Sequence, residues 1–121
     1  MIKKSILMLI VIMLFYSQVV GQNAPVQRKE IKLDPKIFQV YVGKYQSNDN
    51  PEFFVTIMTE NGLFYTQATA QPRFQIFAES ENTFFLKVVD AQIKFVKGKD
   101  GKVAEMIVFQ NGGEMHFKKV E

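Results

Sequence analysis

Turn signals recur at short intervals along this chain, and none of the stretches between them is long enough for more than a short strand. Pro51, Asn61-Gly62, Pro72, Glu79 to Asn82, Asp90, Lys97-Gly98 with Asp100-Gly101, and Asn111-Gly112-Gly113 fence off apolar, aromatic-rich runs. Asn-Gly supplies the positive φ angles that a two-residue hairpin needs, and β-branched and aromatic residues suit a pleated surface. About eight runs separated in this way predict an all-β fold, an antiparallel barrel of about eight short strands. All four prolines lie outside the runs, where a missing N–H costs no ladder bond.

The first 21 residues read as a secretory signal peptide. Lys3 and Lys4 precede an apolar stretch from Ile6 to Tyr16, and Val19-Val20-Gly21 places small residues before the polar Gln22. Cleavage is expected after Gly21. A spanning helix needs about 20 apolar residues, and Ser17 and Gln18 interrupt this run before that length. No Cys is present to take a lipid, so the expected product is periplasmic or secreted and not membrane-spanning once the signal is cleaved.

Loss of the leader changes the charge. The formal +3 of the whole chain includes Lys3 and Lys4, so the remainder carries +1. A nucleic-acid binder normally shows a clustered basic face, and that class is set aside. Without Cys the exported part must be held by burial alone, which its phenylalanines make feasible: twelve in the chain, of which only Phe15 lies in the leader. Residues 22–32 are polar and read as a flexible N-terminal arm. Residues 33–121 read as a single β-barrel domain. Asp34-Pro35 predicts a short helix or turn, with Asp34 as cap and Ile37, Val40 and Tyr41 on one face, placed to plug a barrel end.

Strand alternation then assigns faces. Phe53, Tyr65, Phe74, Phe84, Phe95 and Phe117 are expected inside, with Phe54, Phe64, Phe77 and Phe85 outside. The seventh strand is marked by Ile107 and Phe109, or else by Met106 and Val108. A mostly packed lumen with at most a shallow pocket is expected from the Phe and Met content.

Leu33-Asp34-Pro35, Tyr41-Val42-Gly43-Lys44-Tyr45, Asn61-Gly62-Leu63-Phe64, Thr83-Phe84-Phe85, Ile93-Lys94-Phe95 and Asp100-Gly101-Lys102-Val103 together resemble a domain-of-unknown-function family. That family is best known as the C-terminal, lipocalin-like β-barrel appended to serine hydrolases of the β-lactamase and penicillin-binding type. The resemblance covers about residues 33 to 120. It implies a barrel fold and a stand-alone copy of the accessory module. The catalytic signature of those hydrolases is missing, because none of Ser5, Ser17, Ser47 and Ser80 has Lys three residues later and no Lys-Thr-Gly occurs.

The remaining constellations are weak. His116 is the only imidazole and lies between Met115 and Phe117, which aims it at the outer surface. Ser47 to Glu52 gathers oxygen ligands but lacks the spacing of an EF-hand loop, so a polar turn is expected. Lys94, Lys97, Lys99 and Lys102 cluster at one hairpin beside Asp100, a pattern that keeps a strand edge soluble. No catalytic residues, cofactor or metal site are expected. The expected function is a non-catalytic accessory or binding module that engages a small apolar ligand, another cell-envelope protein or a second copy of itself, with Phe54, Phe64, Phe77 and Phe85 as the candidate contact residues. The alternative is a weak hydrolase built on residues such as Tyr45, Tyr65 and Arg73.

Overall fold

Asn61-Gly62 and Asn111-Gly112 close the two tightest hairpins of the barrel, and both pairs take positive φ: 54° and 79° in the first, 56° and 76° in the second. These angles match the twist of the flanking strands, so each turn also sets the strand register. The computed structural model describes residues 27–121. The expected signal peptide and the first residues of the arm lie outside them.

The strands are β1 (Gly43–Ser47), β2 (Phe54–Glu60), β3 (Leu63–Ala68), β4 (Arg73–Ala78), β5 (Thr83–Phe85), β6 (Ala91–Lys97), β7 (Val103–Gln110) and β8 (Gly113–Lys119). Each pairs antiparallel with the next, and β8 returns to β1, closing the barrel. Tyr45 opposite Lys119 and Ser47 opposite Phe117 mark that seam. It is lengthened by the C-terminal residues: Lys44 N–H donates to the Glu121 carbonyl at 3.1 Å, and Val120 N–H donates to the Lys44 carbonyl at 2.8 Å. Gly43 sits at this closure with φ of 151°, and a Cβ there would run into the Glu121 carbonyl oxygen.

Helix α1 (Pro35–Phe38) and a 3₁₀ turn (Gln39–Tyr41) precede β1. Asp34 caps the helix as expected, its carboxylate accepting from Lys36 N–H at 2.9 Å. The buried face is Phe38 with Tyr41, whereas Ile37 and Val40 are exposed. The expected face was therefore rotated. Two aromatic rings bury more area than two aliphatic side chains, and the helix turns them inward.

Those rings close one end of the barrel. Phe38 stacks on Phe64 with centroids 4.0 Å apart, Tyr41 stacks on Phe95 at 4.3 Å, and Phe84 stands edge-on to Phe38, Tyr41, Phe64 and Phe95 at 5.2 to 6.1 Å. The Tyr41 hydroxyl donates to the Glu81 carbonyl and the Tyr45 hydroxyl donates to the Tyr41 carbonyl, each at 2.7 Å. Burial, and then the proximity of Tyr41, holds the Tyr45 hydroxyl well above the ordinary tyrosine range, so it stays a neutral donor.

Two assignments of side are corrected. Phe64 points inward and Tyr65 outward, because Phe64, Thr66 and Ala68 form the lumen face of β3. Phe74, Phe84, Phe95 and Phe117 do face the lumen, and in β7 it is Met106 and Val108 that point inward. Register slips by one residue where Val96 faces Glu105 and Lys97 faces Val103, a bulge that bends the sheet as it closes.

The least-knit seam lies between β4 and β5, where only Phe77 with Phe85 and Ala78 with Phe84 are paired. The arm crosses near this seam. Ile31 N–H donates to the Ala78 carbonyl at 2.9 Å, Lys87 bonds Glu30 at 2.9 Å, and Arg28 approaches Glu79 and Asp90 at 3.8 and 3.5 Å. Leu33 is buried in the core.

Candidate functional site

The end of the barrel opposite the aromatic plug is open. There the lumen forms a cup of about 250 Å³. Buried Phe117, Ile93 and Val55 belong to its inner part, with Ala68, Phe74, Ala91 and Val108 along its walls. Leu86, Val88 and Val89 come from the β5–β6 connection, and Met115 from the start of β8. Val88 and Met115 are exposed at the rim. The cup exists because small residues stand where the plug end has rings. Ala68 and Ala91 occupy wall positions, and the short β5 hands over to a loop in place of a long strand.

Of the fifteen lining residues none carries a charge, and Thr66, Gln71 and Gln110 are the polar ones. Gln71 belongs to the β3–β4 loop. Its backbone is tied by Gln71 N–H to the Ala68 carbonyl at 3.1 Å and by Gln67 Nε2 to its own carbonyl at 3.0 Å. Ala70 beside it is held at φ 64°, a left-handed conformation rare for a residue with a Cβ. Thr69 clamps the same loop to β2, its hydroxyl accepting from Phe54 N–H at 2.9 Å.

The four candidate phenylalanines do not gather into one surface. Phe64 lies in the plug. Phe54 is half-buried on the outer face of β2 beneath the Lys44 ammonium, 4.4 Å from its ring centre. Phe77 and Phe85 lie side by side on the outer face, centroids 5.9 Å apart, with the Lys87 ammonium 3.9 Å over Phe77. Phe85 is only 5% exposed, and none of the four is among the exposed large apolar residues. Cation–ring contacts of this kind cover an apolar face while keeping the charge in water.

Of the residues suggested for a hydrolytic site, Tyr65 and Arg73 meet on the outer face and Tyr45 lies apart from them. Tyr45 is fully buried in the core. Arg73 lies outside, its guanidinium 3.9 Å over the Tyr65 ring and bonded to Glu60 at 2.8 Å. In the Ser47–Glu52 loop two side chains are occupied by the loop's own backbone: Ser47 Oγ accepts from Asp49 and Asn50 N–H at 3.1 Å, and Asn50 Oδ1 accepts from Glu52 N–H at 3.0 Å. Among the described residues no three or more His, Asp or Glu side chains are grouped to hold a metal ion.

His116 lies on the outer face of β8 between two carboxylates, Nδ1 2.7 Å from Glu105 and Nε2 3.0 Å from Glu114. Both hydrogen bonds favour the imidazolium and raise its pKa above the ordinary histidine value. Half exposed, it serves as a cross-strand ion pair between β7 and β8.

Residues 27–119 match the family described as "Domain of unknown function (DUF3471)". The chain belongs to the DUF3471 family. This DUF3471 chain is also 32% identical over 90 residues to penicillin-binding protein 4* of Bacillus subtilis (strain 168), an alignment covering 74% of this chain and 19% of that protein. It therefore spans about a fifth of that relative's length and is related to one region of it. A mostly packed lumen with at most a shallow pocket was expected; the place and lining of the cup were not. The sequence offered the small Ala68 and Ala91 as a signal, but Ala68 was expected on the outer face with Phe64, and alanine alone does not distinguish a cavity from a close approach.

Proposed function

We propose that this protein is an exported, non-catalytic binding module of the cell envelope, and that the open end of the barrel receives a small apolar ligand or an apolar side chain of a partner protein. The cup carries this reading: one end of the lumen is filled by stacked rings, and the other is a concave, uncharged, apolar surface with few polar groups, the usual character of a small-molecule site. The envelope location is supported by the relative's name and by the leader. No helix among the described residues is long and apolar enough to cross a membrane.

A non-catalytic role is supported by the lining, where no acid, base or nucleophile pair is set within reach of a bound molecule. The test begins with the protein expressed in cells with its own leader, fractionated, purified without detergent and extracted into organic solvent for mass spectrometry. A stoichiometric apolar compound, absent from an Ala68→Leu variant that fills the cup, is the expected result. Turnover of ester, peptide or glycoside substrates that vanishes with Arg73→Ala or Tyr65→Phe would replace it with the hydrolase reading.

A further inference from the structure

We infer that the cup is specific for a neutral, narrow molecule of about ten non-hydrogen atoms with a hydrogen-bonding group at one end, and that the side-chain amide of Gln71 receives that group at the mouth. This rests on the binding reading above and narrows it to a ligand class. Size comes from volume. A dry apolar cavity of about 150 Å³ accommodates benzene, so the 250 Å³ here scales to a single ring with a short tail or a chain of similar bulk.

The polar requirement comes from Gln71. The residue is 8% exposed, yet among the described residues its side-chain amide forms no hydrogen bond with the protein. Every fully occluded side-chain nitrogen or oxygen among them has a partner, so the amide keeps access, and its residue lines the cup. A glutamine offers one acceptor and two donors, and a ligand that displaced solvent from them without hydrogen-bonding them would bind at a cost. A hydroxyl or carbonyl on the ligand would satisfy it. The β3–β4 loop, with Ala70 held at positive φ and Gln71 tethered at both N–H and C=O, holds the Gln71 backbone in place beside the cup.

Charge sets the last limit. No lining side chain is ionised, so a carboxylate or ammonium buried in the cup would have no counter-ion. Gln71 belongs to a loop at the open end, whereas Ile93 and Phe117 lie deep, so the bound molecule stands with its polar end outward.

The test uses p-propylphenol and propylbenzene, nearly equal in bulk and different in the hydroxyl, titrated into the isotope-labelled protein and followed by NMR. Expected are shifts confined to cup residues for both probes, roughly tenfold tighter binding of the phenol, and nuclear Overhauser contacts from the propyl methyl to Ile93. Gln71→Leu should remove the preference and keep propylbenzene binding; Gln71→Met serves if the first variant does not fold, and the wild-type preference needs neither. Equal affinity for the two probes overturns the Gln71 assignment and leaves the binding module standing. Shifts absent from the cup at millimolar probe overturn both.

Discussion

Phe84→Ala measures whether the aromatic plug is what holds this barrel closed. Phe84 is fully buried and is the one ring that meets Phe38, Tyr41, Phe64 and Phe95 together. Truncating a buried phenylalanine costs about 3–5 kcal/mol through lost transfer energy and the cavity left behind, and edge-on ring pairs place this site in the middle of that range or above, about 4 kcal/mol. Total stability for the described residues should be about 5–14 kcal/mol, so one substitution removes a large share. With a urea m-value of about 1.5 kcal/mol/M, the unfolding midpoint should fall by roughly 2.5 M. Phe77→Ala is the control. Its ring is half-buried on the outer face against Phe85 and Lys87, and its loss should cost about 1–2 kcal/mol. A Phe84→Ala cost below about 2 kcal/mol, or one equal to that of Phe77→Ala, would refute the plug as the main source of stability.

Gly43→Ala forces a Cβ toward the Glu121 carbonyl at a positive φ, so a loss of more than about 1 kcal/mol and faster amide exchange at Lys44 and Val120 are expected, whereas unchanged exchange would mean the β1–β8 seam does not depend on it. His116 has a pKa raised in the folded state, so its pairing with Glu105 and Glu114 stabilises fully below the unfolded value of about 6.5 and is lost as pH rises through the folded value. Melting temperature should fall across that window more steeply in the native protein than in His116→Gln; parallel profiles would count against the pairing. Ala68→Leu should leave the melting temperature within a few degrees while abolishing propylbenzene binding, and retained binding would place the ligand outside the cup.

Strand number, turn positions and the Asp34 cap were legible because they depend on local chemistry: Asn-Gly at the hairpins, Pro at the breaks and a carboxylate before Pro35. The phase of β3 was not. Leu63 and Tyr65 form as apolar a set as Phe64, Thr66 and Ala68, so alternation fits either face, and only the stack of Phe64 on Phe38, 26 residues earlier, decides between them. Phe85 was expected on the outside and is there, but burial beside Phe77 removes it from the surface, a result of long-range packing that no local pattern encodes. The place and lining of the cup were hidden for a related reason. The cup arises from the difference between the two barrel ends, and that difference becomes visible only once eight strands have assigned each ring to a level.

A vessel sealed at its base has a single doorway. Because Phe38, Tyr41 and Phe84 block the far end, anything lodged beside Ile93 must leave past Val88 and Met115, the way it came in. A newcomer can displace nothing by pushing from behind and has to wait for the occupant to depart. For the ligand proposed above, residence time would be set at this one mouth, and substitutions at the exposed rim residues Val88 and Met115 should change how long it stays more than how tightly it is held.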